Sequence, residues 1–413
     1  MKYEKKLFEG KTLAILSGGG DTPAINSSIE AVRNRASLLG FKVYGVRKGW
    51  KGMLGDGDVV DLTNQPYDGW YGGTALRSSR TNPFPSKKNP ENRVPQVLRN
   101  LERYKIDVLV TIGGDDTNGA ARRLYETEGI PVIGFPKTID NDLRTRTIHH
   151  YQGQEIEAVM CPGFPSAARA IAEFAGNLKT TAESHSRILV LEVMGRDAGW
   201  LTGTAIFGGA GPLALIPEVE VTKERKEFFF ETVKEHYMRS PKKCLVIPVS
   251  EGVRWYNDKS GEVDVVYASS EVDEYGHPRF GGISGVIASE ISNKLGIEAR
   301  AQITGYYARS GHCRHYDRRL TQTLADKVAD LLIREEYGMM PVMKSIVPFV
   351  ELEEFNTSAI DMGKVGNKPL SEAYFDANRF TFTDAYRNFL ELVLEKPEFH
   401  EFSYDFPVVI PEG

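Results

Sequence analysis

The stretch "LVTIGGDDTNGAARRL", residues 109–124, predicts how the chain folds. An apolar run ends at two glycines, two adjacent carboxylates follow, and a polar, alanine-rich segment begins. This order indicates a buried strand, a tight turn and a helix. Glycine-rich turns between a strand and a helix usually bind phosphate, which is an anion. The adjacent Asp115 and Asp116 therefore need a reason, because like charges repel each other and the ligand.

The same alternation of strand and helix continues on both sides of this stretch. Short apolar runs typical of buried strands occur at 12–16, 41–46, 106–112, 130–135, 187–193, 213–216, 244–249 and 300–304. Helical patterns lie between them at 26–39, 117–127, 165–183, 222–238, 283–295 and 319–336. Strands that alternate with helices indicate an α/β fold with largely parallel sheets. Ligands of such sheets bind beyond the carboxyl ends of the strands, so we expect the chemistry in the loops that leave the strands.

Two long segments interrupt the alternation. Residues 64–95 are rich in Gly, Pro and Asn and predict a long excursion, and ordered loops of this length tend to be functional. Residues 252–282 are similar, and we expect a small hairpin in them.

Composition sets limits on the kind of protein. With 413 residues, 41% hydrophobic and 26% charged, the chain is typical of a soluble globular protein of two or three domains. The net charge of −5 and the dispersed Lys and Arg residues argue against a nucleic-acid surface. The cysteines are three in number and far apart, which argues against a disulfide framework. We expect no membrane span and a cytoplasmic location, since no apolar run reaches ~18 residues.

The loop after the first strand, "SGGGDTPAIN" at 17–26, precedes a helix. Its glycines at 18, 19 and 20 allow a close backbone approach to an anion, although a glycine cluster alone is as often a simple tight turn. At the exit of the third strand, Asp115 is suited to Mg²⁺, which prefers carboxylate and phosphate oxygens. The alternative is that one aspartate caps a helix beginning near Thr117, which leaves the second carboxylate without a role.

The loop "PKTIDNDL", at 136–143, carries Lys137, Thr138, Asp140 and Asp142 within six residues. An ammonium, a base and a second metal-facing acid suit phosphoryl transfer. The alternative is an Asx-rich turn, and a third acidic loop in the same sheet favours the functional interpretation.

Later strand exits supply further polar groups. "MGRDAGWLTG" (194–203) contains an arginine, "SEGV" (250–253) a glutamate, and "GYYARSGHCRHYDRR" (305–319) several arginines, which suit bidentate phosphate contacts. We expect His150, His185, His312 and His315 to be solvated, since they lack convincing ligand spacing.

Taken together, these motifs resemble the phosphofructokinase family. "GGGDTPAIN", "GGDDT", "PKTIDND", "EVMGRDAG", "SEG" and "GYYARSG…YDRR" occur in the family's order, from about residue 12 to about 320. The subgroup that the chain resembles is the pyrophosphate-dependent 6-phosphofructokinases. The resemblance implies two Rossmann-like domains with largely parallel sheets and an active site in the cleft between them. We expect a phosphoryl-donor domain at 1–150, completed by part of 308–375, a fructose 6-phosphate domain at 151–307, and a C-terminal extension of unknown role at 376–413.

The resemblance also implies residue roles. Asp140 is the expected general base, Asp115 lies at Mg²⁺ with Asp142 organising that region, and Lys137, Asp116 and Arg196 complete the catalytic set. The residues expected to hold the pyrophosphate donor are Gly19, Arg80 and Lys137. The residues expected to hold fructose 6-phosphate are Thr138, Ile139, Asp140, Met194, Gly195, Arg196, Glu251, Tyr306 and Arg309. Arg187 and Arg300 match arginines that reach the sugar phosphate from a neighbouring subunit, which implies a homodimer or a homotetramer.

The resemblance also explains why Asp115 and Asp116 are adjacent. ATP-dependent members of the family usually read GGDG here, so Asp116 stands where they have glycine and would occupy the region of the α-phosphate of ATP. Two unit charges at ~4 Å repel by about 4 kcal/mol at an effective dielectric of ~20, roughly a thousandfold in affinity. Pyrophosphate has no α-phosphate to repel. Ala24 and Tyr306 also differ from the Gly and His usual in ATP-dependent relatives, and the tyrosine fits the pyrophosphate subgroup.

Three alternatives stay open at this stage. The same transfer with ATP as the donor is the nearest. An inactive phosphate-sensing binding protein on the same fold is disfavoured by the retained aspartates at 115, 140 and 142. A nicotinamide-linked oxidoreductase ranks last, since GxGxxG is missing. The sequence does not distinguish a dimer from a tetramer, and it does not exclude a second acceptor such as sedoheptulose 7-phosphate.

Overall fold

The structure, a computed structural model, describes residues 7–394 except 273, 277, 354 and 355. The helices in this part of the chain are α1 (Ile25–Leu38), α2 (Val94–Arg103), α3 (Asp115–Glu128), α4 (Phe164–Ser184), α5 (Trp200–Phe207), α6 (Lys223–Arg239), α7 (Ile283–Leu295), α8 (His315–Ile333) and α9 (Asp384–Val393). The strands are β1 (Thr12–Ser17), β2 (Lys42–Val46), β3 (Val59–Asp61), β4 (Val108–Gly113), β5 (Val132–Pro136), β6 (Thr147–Tyr151), β7 (Gln154–Ala158), β8 (Ile188–Val193), β9 (Leu245–Ser250), β10 (Trp255–Tyr256), β11 (Val263–Asp264), β12 (Tyr267–Val272), β13 (Pro278–Phe280), β14 (Ala299–Ile303), β15 (Met339–Met343), β16 (Thr357–Asp361), β17 (Phe375–Asp376) and β18 (Thr381–Phe382).

The larger sheet has seven strands in the order β16-β15-β5-β4-β1-β2-β3. Its five inner strands run parallel, and the two edge strands β3 and β16 run antiparallel to their neighbours. Strands β1 and β4 are buried along their whole length, which explains why the sequence shows apolar runs there instead of alternation. The α/β fold class predicted from the sequence is confirmed.

The smaller sheet has three parallel strands in the order β14-β8-β9. Both sheets therefore send several loops out from the carboxyl ends of their strands. The strand predicted at 213–216 is wrong: only Leu215 forms a bridge, to Val249 of β9. Pro212 and Pro217 flank this run and remove ladder donors, while burial of its side chains produces the apolar pattern.

The predicted helices are all present; α7 has the predicted bounds, and the others have shifted ends. Helix α8 begins four residues earlier than predicted and ends at Ile333, and α3 begins two residues earlier, at Asp115. The sequence did not predict several short elements, namely α2, α5, α9, β3, the β6–β7 and β17–β18 pairs, and the strands β15 and β16. Residues 252–282 contain two antiparallel pairs, β10–β11 and β12–β13, where one hairpin was expected.

A cluster of aromatic rings joins the end of the described chain to its middle. Trp200 of α5 is fully buried against Tyr374, Tyr386 and Phe389, with ring centres 5.2–6.1 Å apart. Helix α9 is thus part of the core, although residues 376–413 were predicted only as an extension of unknown role. Residues 395–413 of that extension lie outside the described residues.

Candidate active site

Three loops leave the carboxyl ends of β1, β4 and β5 side by side. The amide of Gly18 donates to the carbonyl of Ile112 at 3.0 Å, and the amide of Lys137 donates to the carbonyl of Gly113 at 3.0 Å. These bonds continue the parallel pairing of the three strands beyond their ends. The glycine loop, the aspartate pair and the Lys137 loop consequently form one surface.

The glycine loop needs its glycines for two separate reasons. Gly19 has a φ of +82°, a left-handed conformation that side chains rarely adopt. A Cβ atom on Gly20 would lie 2.5 Å from Nη1 of Arg309. The backbone of this turn is therefore bare where the three loops meet, as a phosphate-binding turn requires.

Lys137 carries its ammonium group into the middle of this surface. The residue is 3% exposed, and its Nζ donates to the carbonyl of Gly20 at 2.6 Å. Burial and, to a smaller extent, the guanidinium of Arg309 lower its pKa to about 8, against the opposing effect of the Asp21 and Asp140 carboxylates. A buried ammonium among loop carbonyls is placed to meet a phosphate oxygen as a point charge.

The loop after β5 is held in shape by its own side chains. The Oγ1 of Thr138 accepts from the amide of Asp140 at 3.0 Å and donates to Oδ1 of Asp142 at 3.1 Å. Asn141 has a φ of +54°, and its buried side chain donates to the carbonyl of Val159 and accepts from the amide of Cys161. The local bond of this turn is accepted by the hydroxyl of Thr138 and not by an Asn or Asp side chain, so the turn differs from the Asx-rich alternative. It presents the aspartates on either side of Asn141.

Asp140 stands out electrostatically. Its Oδ1 is buried and accepts no hydrogen bond from the residues that the structure describes. Asp142 has its pKa raised to about 7, first by burial and then by the charge of Asp140. A carboxylate with an unused buried oxygen is ready to receive a proton from a bound ligand.

Both members of the aspartate pair lie inside α3. Asp115 and Asp116 occupy the first turn, and the N-cap position is Gly114, which forms no side-chain cap bond. The alternative in which one aspartate caps a helix near Thr117 is wrong, because the helix begins before that residue. The positive end of the helix dipole stabilises acids in the first turn, so two adjacent carboxylates are tolerated here.

Loops of the smaller sheet face the same place. Glu251 follows β9, and its pKa is raised to about 7 by burial and by the charge of Asp140, while Arg309 acts in the opposite direction. Gly195 follows β8, and its carbonyl accepts from Oγ of Ser250 at 2.6 Å. The electrostatic coupling between Glu251 and Asp140 shows that exits of the two sheets meet.

An open cleft of about 480 Å³ joins these loops to the long excursion. Arg309 crosses it, donating from Nη1 to the carbonyl of Asp21 at 3.1 Å, and Tyr306 in the same cleft is 76% exposed. The residues that line the cleft are Gly19, Gly20, Asp21, Thr74, Ser78, Ser79, Arg80, Tyr306 and Arg309. The structure thus brings the predicted donor residues Gly19 and Arg80 together with two residues predicted to bind the sugar.

Some predicted residues occupy different surroundings. Ile139 is 1% exposed and packs in the core, so only its main chain can face a ligand. Met194 is partly buried against the core. The four histidines predicted to be solvated are exposed.

Arg187 and Arg300 lie at the other end of the smaller sheet. Arg187 precedes β8 and Arg300 lies near the start of β14, where both pair with Glu298 at 3.6 and 2.8 Å. Six residues of strand separate this end from the loops that leave the carboxyl ends, which is about 20 Å. Within one chain they are remote from the cleft, and their role in a neighbouring subunit stays a prediction.

Sequence reasoning missed several polar groups of the cleft. Asp21, Ser78 and Ser79 line it, and Asn141 shapes the acidic turn. Asp21 follows the three glycines directly, so its position was a usable signal, whereas the serines sit in the excursion, which has no periodicity.

The described residues contain neither a preformed metal cluster nor a membrane-spanning helix. There, no group of three or more His, Cys, Asp or Glu side chains is arranged to hold a metal ion. None of the described helices is long and apolar enough to cross a membrane.

Comparison with known proteins agrees with this architecture. The chain is 35% identical over 356 residues to "Pyrophosphate--fructose 6-phosphate 1-phosphotransferase" of Dictyoglomus thermophilum, and the match covers 84% of this chain and 95% of the relative. It is also 35% identical over 347 residues to "ATP-dependent 6-phosphofructokinase 2" of Clostridium perfringens, covering 81% of this chain and 88% of that one.

The fold has a counterpart among solved structures. A pyrophosphate-dependent phosphofructokinase from Marinobacter aquaeolei superposes with a TM-score of 0.73 at 21% identity, covering 96% of this chain and 95% of the other. In sequence, residues 12–332 match the family described as Phosphofructokinase. This match takes in the smaller sheet, the larger sheet except β15 and β16, and every residue that lines the cleft. The chain belongs to the phosphofructokinase family.

Proposed function

We propose that this protein transfers a phosphoryl group reversibly from pyrophosphate to the C1 hydroxyl of fructose 6-phosphate, giving fructose 1,6-bisphosphate and phosphate. Curated relatives in several organisms carry the name of this reaction. One relative named for ATP is also 35% identical, so overall similarity does not decide the donor. The observation that carries the donor assignment is Asp116 in the first turn of α3, on the surface that holds Lys137.

Donor choice follows from charge in that surface. Asp116 is half-buried, so its carboxylate is only partly screened by water. A nucleotide must bring its α-phosphate near this charge, at a cost of about 4 kcal/mol for ~4 Å and an effective dielectric of ~20. Pyrophosphate avoids that contact and gains Lys137 as a partner. Gly19 offers bare backbone to the same donor, and Arg80 lines the cleft beside it.

The acceptor hydroxyl is activated by Asp140 in this proposal. The C1 oxygen attacks one phosphorus in line, and Oδ1 of Asp140, which has no partner among the described residues, accepts the proton. Lys137 and the arginines stabilise the charge that develops on the equatorial and leaving oxygens. Glu251 faces Asp140 from the other sheet, where a sugar hydroxyl would bridge the two carboxylates.

Fructose 6-phosphate is assigned to the exits of the smaller sheet. Thr138, the Met194–Arg196 turn, Glu251, Tyr306 and Arg309 are the residues assigned to it. Arg187 and Arg300 of a second copy complete the site, because in one chain they lie at the far end of the strands. We therefore propose a homo-oligomer, with residues 1–150 and part of 308–375 holding the donor and 151–307 holding the sugar.

The acidic loops fit a magnesium ion. Mg²⁺ is usually held by one or two carboxylates together with water and substrate phosphates, so a protein cage of three ligands is not required. Asp115 and Asp142 would hold it, and a bound cation would offset the burial and the neighbouring charge of Asp140 that raise the pKa of Asp142. When bound, the ion would neutralise charge on the phosphate oxygens.

The test compares the two donors at equal concentration with purified protein. We expect turnover with pyrophosphate and little with ATP, and a clear preference for ATP would overturn the donor assignment. The double variant Asp116→Gly, Lys137→Gly should lose pyrophosphate activity. Asp116→Asn is the matched control, since it removes the charge at constant size and should weaken the rejection of ATP.

A second candidate is the inactive phosphate-sensing protein. Measurable binding of fructose 6-phosphate without formation of fructose 1,6-bisphosphate from either donor would favour it. The unpartnered Oδ1 of Asp140 argues for catalysis, because a buried carboxylate oxygen without a partner is costly to keep in a site that only binds.

A further inference from the structure

Residues 366–370, which we name the strap, lie beyond the part of the chain that matches the family, residues 12–332. The strap runs beside the end of the acidic loop after β5. The amide of Lys368 donates to the carbonyl of Asp142 at 2.6 Å, and the amide of Arg144 donates to the carbonyl of Gly366 at 2.8 Å. One edge of the strap is thus hydrogen-bonded to the loop that carries Asp140.

The other end of the strap meets a buried glutamate. The amide of Leu370 donates to Oε1 of Glu218 at 2.7 Å, and the same oxygen accepts from the amide of Gly199 at 2.9 Å. Gly199 is the N-cap residue of α5 and closes the turn that carries Arg196. A single carboxylate oxygen therefore joins the strap to the arginine turn of the smaller sheet.

These contacts form a short bridge between the loop that carries Asp140 and the turn that carries Arg196. Lys368 contacts Asp142 and Leu370 contacts Glu218, and only Pro369 lies between them. The two contact points are therefore at most about 7 Å apart along the backbone. The side chain of Lys368 is 16% exposed and anchors the strap further through Glu157 of β7 at 2.9 Å. A bridge of this length leaves little freedom for one catalytic loop to move against the other.

We propose that Glu218 is a positioning residue for the phosphoryl transfer: together with the strap it sets the place of Arg196, and hence of the sugar phosphate, relative to Asp140. The inference rests on the proposed function of this site. In-line attack requires the acceptor oxygen near contact with the phosphorus, and a displacement of ~1 Å can cost about a hundredfold in rate.

The second carboxylate oxygen of Glu218 makes the idea testable. Oε2 is buried and has no hydrogen-bond partner in the described part of the chain. A glutamine keeps an acceptor for the amides of Gly199 and Leu370, so Glu218→Gln should preserve the bridge. Glu218→Ala leaves both amides without that acceptor, at the cost expected for buried unsatisfied donors.

The experiment measures the KM for each substrate, kcat, the thermal midpoint, and direct binding of fructose 6-phosphate without a donor. For Glu218→Ala we expect the KM for fructose 6-phosphate to rise about tenfold and the KM for the donor to stay within about twofold. In Glu218→Gln, the KM for fructose 6-phosphate and the KM for the donor should both stay within about twofold of those of the unmodified protein. The direct binding measurement is independent of the donor, so an error in the donor assignment leaves this test intact.

The matched control is Thr222→Ala, which removes the side-chain cap of α6 in the same half of the chain. It should lower the thermal midpoint without changing either KM. If Glu218→Ala behaves like this control, or if Glu218→Gln is as impaired as Glu218→Ala, the positioning role is refuted.

Lys368→Met provides a milder second variant in case Glu218→Ala does not fold. It removes only the ion pair between the strap and Glu157. We expect a rise of about threefold in the KM for fructose 6-phosphate, since the pair is partly solvated. An unchanged KM would refute the role of the strap.

Discussion

Replacement of Lys137 by methionine is expected to make the protein more stable and far less active. Methionine has a similar length and no charge, so the packing of the buried side chain is kept while the ammonium is removed. The Nζ atom donates to the carbonyl of Gly20 at 2.6 Å and would lie 3.5 Å from a Cβ on Gly19, so it reaches the surface assigned to the donor.

The structure gives the size of both effects. A unit charge at ~4 Å from a phosphate oxygen is worth about 4 kcal/mol at an effective dielectric of ~20, so kcat/KM for pyrophosphate should fall about a thousandfold. The pKa of Lys137 is lowered from 10.5 to about 8, chiefly by burial. At 1.36 kcal/mol per pKa unit, the charged form costs about 3 kcal/mol of stability. The variant also loses the hydrogen bond to Gly20, which lowers its free energy of unfolding by about 1 kcal/mol. The net expectation is a free energy of unfolding about 2 kcal/mol higher in the variant.

The pH dependence has a defined sign. Between pH 8 and 10.5 the unfolded chain binds a proton at Lys137 that the folded chain has released, so the free energy of unfolding rises with pH through this window. In the free enzyme the ammonium is lost above about pH 8, and kcat/KM for pyrophosphate should fall there. Bound pyrophosphate favours the charged lysine, so the corresponding fall in kcat should lie at higher pH.

Steady-state kinetics from pH 6 to 10 and urea denaturation at the same pH values check this reasoning. Lys137→Met should lack both the alkaline fall in kcat/KM and its share of the rise in stability. A loss of less than tenfold with pyrophosphate, or an alkaline fall that persists in the variant, would refute the placement of this ammonium against the donor.

Two further predictions concern the acidic groups. Asp140→Asn should lower kcat about a thousandfold, in the range of general-base catalysis. Fructose 6-phosphate binding by calorimetry should change much less, because asparagine keeps an acceptor oxygen for the sugar hydroxyl and Oδ1 has no protein partner to lose among the described residues. The pKa values of Asp142 and Glu251 are raised to about 7, above the ordinary 3.8 and 4.5, so the folded protein binds more protons than the unfolded chain between about pH 4 and 7. Stability should therefore fall as the pH rises through that window; urea midpoints at pH 5 and 8 should differ less in Asp142→Asn, and an equal difference would contradict the shift.

The sequence predicted those parts of the structure that repeat a simple pattern. Buried parallel strands such as β1 and β4 read as unbroken apolar runs, and the loops that follow them carry the acids and glycines. The run at 213–216 has the same apolar content but lies between prolines, so burial imitated a strand there. Local pattern reports which side chains are buried and gives much less information on which backbone groups pair.

Long-range pairing explains what the sequence did not predict. Glu218 and Leu370 are 152 positions apart, and no local spacing connects them. Asn141 sits between two predicted catalytic aspartates, yet its buried contacts with Val159 and Cys161 depend on how the chain returns. The pairing of Arg187 with Glu298 likewise depends on the register of β8 against β14.

The order of strands in the larger sheet has a consequence for biosynthesis. Strand β5 pairs with β15, which is synthesised about 200 residues later, after all the strands of the smaller sheet. The smaller sheet can close on itself during translation, whereas the open edge of β5 stays a site for wrong pairing until β15 has been made. We expect a released chain truncated near residue 310 to resist proteolysis between residues 188 and 303 and to be cleaved readily in the preceding segment.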